Sequence, residues 1–182
     1  MAQFPINRHS LGTTGIEISP VILGCGTFGG IGGAKALIGR GLNREAAVAT
    51  LADGEVEKRF DREFIQRKLA MSLQRLGVDS VSFYLSHAPD PETPIEQTLE
   101  GFAAGIESKK VRHIGCCNVD GGQLRTALEA SDRLGLPAFE WVQNGFSLLS
   151  PKAYDEVRNI CTERNLGFTP FSPLAGGSYR KI

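Results

Sequence analysis

The sequence predicts an α/β protein assembled from parallel βα units, and two observations carry that reading. From Asp79 onward, short apolar runs rich in β-branched and aromatic residues alternate with amphipathic stretches of helical period. The apolar runs end near residues 86, 117, 143 and 171, so successive units are 31, 26 and 28 residues long. A chain of 182 residues, 41% hydrophobic and 22% charged, suits one domain with a sizeable core. The cadence is that of a closed α/β barrel, and an open doubly wound sheet shares it.

In chain order, Leu11–Ile18 reads as a hairpin around a glycine-containing turn, and Ser19-Pro20 breaks it. Val21-Ile22-Leu23 reads as a short buried strand that runs into Gly24-Cys25-Gly26-Thr27-Phe28-Gly29-Gly30. The spacing formally matches G-x-G-x-x-G, but a dinucleotide fingerprint needs a helix opening at the third glycine and an acid ending the next strand. More glycine follows instead, and Gly33-Ala34-Lys35 is no P-loop either. Gly24–Gly33 is therefore a loop at the mouth of a strand, one that lets a ligand approach the backbone closely. Asn43 caps a helix over Ala46–Leu51, with Glu45 in its first turn. Ala52–Arg62 carries seven charged residues and no strand. Phe64, Leu69, Leu73 and Leu76 then resume helical spacing until Gly77.

Val81, Phe83 and Leu85 alternate with Ser82, Tyr84 and Ser86 in a strand that delivers His87, after which Pro89 and Pro91 forbid regular pairing. A helix is expected over 94–108, a strand over Val111–Cys117, and a helix over 121–134 ended by Gly135 and Pro137. A strand Phe139–Gln143, a helix over 151–165 and a strand Gly167–Phe171 complete the series. From Cys25 to Ser86 there is room for about two units, yet no interior strand. Five strands are recognisable where a closed barrel has eight. Against a closed barrel, segments are expected to be missing near 51–53 and after 177.

Twenty basic and twenty acidic side chains cancel, which argues against nucleic acid or an anionic membrane as partner. The start is polar, without the apolar core of a signal peptide, and no apolar run approaches the roughly 20 residues of a membrane span. None of the four cysteines has zinc-ligand spacing. A reduced, cytoplasmic protein without a bound metal is expected. His113 reads as structural, Asp90 and Glu92 as a solvated turn leading into a helix, and Cys116 and Cys117 as side chains on opposite faces of a strand.

Every strand ends in polar or aromatic groups: Gly26 and Thr27, His87, Cys117 and Asn118, Gln143 and Asn144, Phe171 and Ser172. In a parallel barrel that edge is where chemistry is done. Asn118 and Gln143 each present a donor and an acceptor, which suits another carboxamide such as that of a nicotinamide ring. Phe171 offers a flat face for stacking, and Ser172 with the following glycines suits phosphate oxygens.

These residues sit in stretches that resemble the aldo-keto reductase superfamily, in the bacterial-type branch related to channel β-subunit-like reductases. The stretches are L-G-T-T-G-I-E-I-S at 11–19, L-G-C-G-T-F-G-G at 23–30, L-S-H-A-P-D-P-E-T-P-I-E-Q-T-L at 85–99, V-R-H-I-G-C-C-N-V at 111–119, V-Q-N-G-F-S-L-L at 142–149 and F-S-P-L-A-G-G at 171–177. The resemblance implies a (β/α)8 TIM barrel over 1–182, incomplete here, closed at its base by the 11–19 hairpin. It implies NAD(P)H-dependent reduction of a small-molecule aldehyde or ketone, with NADP the expected cofactor and NAD an open alternative.

By the same resemblance His87 orients the substrate carbonyl, Asn118 and Gln143 hold the nicotinamide carboxamide, and Phe171 stacks on the ring. Ser172 and Leu174 contact the pyrophosphate, Thr27 lies beneath the nicotinamide, and Cys117 replaces the family's usual serine. The family's proton-donor tyrosine, with its lysine and aspartate, belongs to strands not recognisable here, and Tyr84, Tyr154 and Tyr179 do not match it. The competing expectation is a non-catalytic dinucleotide-binding or regulatory barrel remnant. An unrelated phosphate-binding barrel enzyme leaves Asn118, Gln143 and Phe171 unexplained.

Overall fold

The computed structural model describes residues 8–22, 59–150 and 155–175. The chain divides into two compact units, Met1–Asn7 with Ser19–Lys58 and Arg8–Ile18 with Arg59–Ile182. The second holds all the elements below. An antiparallel pair, β1 (His9–Ser10) and β2 (Glu17–Ile18), is followed by α1 (Arg62–Leu76), β3 (Val81–Ser86), α2 (Ile95–Glu107), β4 (Val111–Cys117), α3 (Gly121–Leu134), β5 (Trp141–Gly145), α4 (Asp155–Glu163) and β6 (Gly167–Phe171). Strands β3 to β6 pair in parallel in chain order. The alternation of strands and helices is that of the α/β class and is consistent with the (β/α)8 barrel superfamily.

The helices end where local chemistry ends them. Asp61 caps α1 by accepting from the Phe64 N–H at 2.9 Å, a bond that lowers its pKa, and Gly77 closes the helix at φ +66°. Asp120 and Gln123 form a reciprocal capping box at the start of α3, and Gly135 ends that helix at φ +64°. Strand alternation then sorts the side chains. Ile114, Cys116 and Val142 point into the helix layer, where they pack with Leu69, Leu99, Leu124, Val157 and Ile160 in one core cluster. Phe83, His113 and Trp141 share the other face, the Phe83 ring lying 5.1 Å from His113 and 4.9 Å from Trp141.

Some expected boundaries move. β5 starts at Trp141 rather than Phe139 and continues to Gly145. Phe139 is a core residue set edge-on to Phe102, whereas Asn144 and Gly145 keep their pairing with Pro170 and Phe171. The described part of the helix expected over 151–165 is Asp155–Glu163; Asn165 has left helical geometry at φ +52°. Of the strand expected over Val21–Leu23, Val21 and Ile22 carry no pairing, the Val21 carbonyl instead accepting from the Ser19 hydroxyl at 2.6 Å, and Leu23 lies outside the described residues. So do the expected helix over Ala46–Leu51 and the loop carrying Thr27.

The hairpin pairs just outside the turn, and the Leu11 N–H donates to the Ile16 carbonyl at 2.9 Å. Its tip reaches the N-terminal end of β6. A β-carbon on Gly12 would lie 2.5 Å from the Gly167 nitrogen, and one on Gly167 would strike the Leu11 side chain. The hairpin thus lies at the base of the sheet, the end opposite His87.

Among the described strand glycines, Gly115 is the most tightly enclosed. A β-carbon there would lie 2.3 Å from the Trp141 carbonyl oxygen and 3.1 Å from Leu85 Cγ. Substitution G115A is therefore expected to cost about 3 kcal/mol, the upper range for overpacking. G122A, whose nearest neighbour would be the Asp120 carboxylate at 3.4 Å, should leave stability unchanged or slightly raised. Urea unfolding of the two variants checks the contrast.

Candidate functional site

Three adjoining strand ends meet at Asn118. Its side-chain Nδ2 donates to the His87 carbonyl at 2.7 Å, and its backbone N–H donates to the Gln143 carbonyl at 3.2 Å. A carbonyl only accepts, so the amide end facing His87 is the NH2 group. Asn118 holds φ at +57°, a left-handed conformation that asparagine tolerates better than most residues. Ser172, after β6, is also left-handed at φ +55°. Strain of this kind costs about 1–3 kcal/mol per residue and collects at functional sites.

Gln143 lies half-buried on the same sheet face as Cys117, whose thiol donates to Gln143 Oε1 at 3.7 Å. The Phe171 ring sits over Gly145, within 3.2 Å of where a β-carbon would be, and Phe171 stays 41% exposed. Leu174 is exposed in the turn that the Ala175 N–H closes on the Ser172 carbonyl. The structure thus sets His87, Asn118, Gln143, Phe171, Ser172 and Leu174 along one edge of four consecutive strands. Thr27 lies outside the described residues.

The arrangement fits a flat ring bearing a carboxamide. Asn118 Oδ1 and Gln143 Nε2 remain unengaged among the described residues, the opposite ends of the two amides being committed to His87 and Cys117. Among the described residues no three His, Cys, Asp or Glu side chains converge on a common point. No described helix is long and apolar enough to cross a membrane.

Two supporting residues carry more than their sequence context suggested. Asp90 lies in the partly exposed turn before α2, and its carboxylate is also engaged across the fold. Its carboxylate accepts from the Phe60 N–H at 2.9 Å, the Glu92 N–H at 2.9 Å and the Thr93 hydroxyl, so it braces the loop after His87 against the start of α1. Burial alone would raise its pKa, but the bonds from Thr93, Glu92 and Phe60 together outweigh that and hold it below the ordinary carboxylate value. Asn144, fully buried, clamps the β4–α3 loop: its Nδ2 donates to the Val119 carbonyl at 2.7 Å and its Oδ1 accepts from the Val119 N–H at 3.2 Å. Only its inward parity in β5 marks it off from Gln143 in the sequence.

The aldo/keto reductase sequence pattern matches residues 21–182. The chain belongs to the aldo/keto reductase family. It is 34% identical over 113 residues to the uncharacterized oxidoreductase YrpG of Bacillus subtilis, covering 62% of this chain and 35% of that protein. It is 28% identical over 130 residues to the NADH-specific methylglyoxal reductase of Escherichia coli, covering 70% and 38%. It is 28% identical over 124 residues to aldo-keto reductase yakc [NADP(+)] of Schizosaccharomyces pombe, covering 68% and 36%. The matches thus span little more than a third of the length of these relatives.

For this family member Tyr84 is removed as a proton donor at the strand ends. Its ring lies in the helix layer, 5.7 Å from Phe102, and burial raises its pKa. Tyr154 and Tyr179 lie outside the described residues. His113 Nδ1 donates to the Glu140 carboxylate at 2.9 Å beside the Phe83 ring, and its Nε2 is buried with no partner among the described residues. Behind the sheet lies an apolar cavity of about 370 Å³ between α2 and α3, whose walls include Ser86, Cys116, Leu124 and Phe139 but none of the strand-end residues above.

Asp90 predicts a pH dependence. A carboxylate whose pKa is lowered by folding contributes stability above the unfolded value near 3.9, and that contribution is lost as pH falls through the folded value. D90N should melt several degrees below the parent at neutral pH, and the gap should close under strongly acid conditions. The cysteines predict inertness. Burial pushes the Cys117 and Cys161 thiols up to about 11, and Cys116 higher still. Iodoacetamide at neutral pH should leave all three unmodified in the folded protein and label them after denaturation, as read by peptide mass mapping.

Proposed function

We propose that this chain serves nicotinamide-dependent reduction of an aldehyde or ketone, and that its strand-end edge holds the nicotinamide half of the cofactor. The observation that carries the reading is the pair of carboxamides, Asn118 and Gln143, each with one hydrogen-bonding end unengaged among the described residues, on the same strand-end edge as the exposed Phe171 ring. In this reading the two amides meet the carboxamide of the ring, and Phe171 covers one of its faces. Ser172 and Leu174 meet the pyrophosphate, and Thr27 lies beneath the ring. The cofactor supplies a hydride when bound. His87, exposed at the end of β3, orients the substrate oxygen by hydrogen bonding and stabilises the charge that develops there. NADP is the expected dinucleotide by resemblance, while the relatives' names include both an NADH-specific and an NADP(+) enzyme. The carbonyl substrate is a small molecule.

A second reading has one observation in its favour. Tyr84, the described tyrosine nearest His87 in sequence, faces away from the site. A chain lacking a positioned acid binds the dinucleotide without fast turnover, since general acid catalysis is typically worth 10²–10⁴-fold.

One set of experiments separates them. Trp141 is the single tryptophan and lies two residues before Gln143 on the same strand face, so its fluorescence reports occupancy of the edge. Titration with NADPH and NADH should quench it saturably, and Q143A should weaken binding about tenfold. With a generic aromatic aldehyde, turnover in the parent and an approximately 10²-fold loss in H87A support the reductase reading. Saturable binding with no turnover supports the second. Absence of binding to either dinucleotide overturns both.

A further inference from the structure

We propose that Asn118 is the positioning residue for His87: its carboxamide ties the histidine's backbone to the nicotinamide seat, so that filling the seat sets where His87 stands. This deepens the reading above and rests on it. Three observations carry the inference. The 2.7 Å bond from Asn118 Nδ2 ends on the carbonyl of the residue proposed to orient the substrate. The Asn118 N–H is fixed to the Gln143 carbonyl, so the link runs from β3 through β4 to β5. The backbone turns left-handed at Asn118, with φ at +57°, at the point where its side chain reaches back to the residue after β3.

The amide has two ends. Nδ2 is held by His87, while Oδ1 and the second Nδ2 hydrogen have no partner among the described residues. A group that bonds either free valence shifts or tightens the same planar amide, and the His87 carbonyl follows. The coupling therefore needs no moving domain, only one amide shared between two partners. It acts on His87 through its backbone, so the imidazole stays free for substrate.

Glycine at position 118 adopts φ of +57° without strain, so N118G removes the side chain and keeps the backbone. Wild type and N118G, labelled with carbon-13, are compared first without cofactor. The His87 carbonyl carbon should move upfield in N118G, while those of His9 and His113 and the melting temperature hold. An unchanged His87 carbonyl overturns the tether. NADP+ and NAD+ are then titrated into both proteins. In wild type the His87 carbonyl carbon, on which ring currents act weakly, should move on saturation. In N118G binding should weaken about tenfold, and at saturation the His87 signal should stay still. Equal movement in both proteins overturns the coupling. Failure of wild type to bind either dinucleotide removes the cofactor reading and the coupling with it, and the cofactor-free comparison decides the tether independently.

Discussion

The parallel register of β3 to β6 is the constraint on which the rest depends. Ser86 stands opposite Cys116, Cys117 opposite Gln143, and Gly145 opposite Phe171, so four strands finish at one edge. A slip of one residue in any pair would turn Gln143 into the helix layer and Asn144 out of it. Gly115 helps to hold that register, because only a residue without a β-carbon passes Trp141 at the observed distance. The helices supply the other half of the constraint. Ile114, Cys116 and Val142 are almost completely removed from water, and an apolar cluster of that kind fixes which strand face points inward.

Much of this was legible in the sequence, for identifiable reasons. The helix over 121–134 begins at a capping box and ends at a glycine in the left-handed region, and both signals are local. The strand over 81–86 is bounded by the prolines that follow His87. The order of polar strand ends was legible because each lies just beyond an apolar run. The start of β5 was not, because Phe139 has strand-like chemistry yet spends its ring on the core beside Phe102. The roles of Asp90 and Asn144 were not legible either. Asp90 finds Phe60 thirty residues away, and Asn144 finds Val119 twenty-five residues away, and no local spacing announces such partners.

The edge carries costs that the core offsets. Asn118 and Ser172 are held in left-handed geometry, and a polar amide, Asn144, is buried among apolar neighbours. The amide is tolerable because Val119 satisfies both of its ends, which turns a desolvation cost into a clamp. The strained residues are tolerable because their neighbours are fixed independently: Asp90 braces the loop after His87, and the Phe146 N–H holds the Phe171 carbonyl. Rigid surroundings thus present functional groups in conformations that an isolated peptide would leave.

The strands of the sheet lie in space in the same order as along the chain. Each joins the one made just before it, so every pairing closes a loop of one helix and its connections. The β3 to β6 pairings each join neighbouring units, so the entropy of closure is taken in small steps. Such an edge suits assembly as the chain leaves the ribosome, one unit docking on the last. It also suits growth by duplication, since each added βα unit brings one more strand end to the same edge.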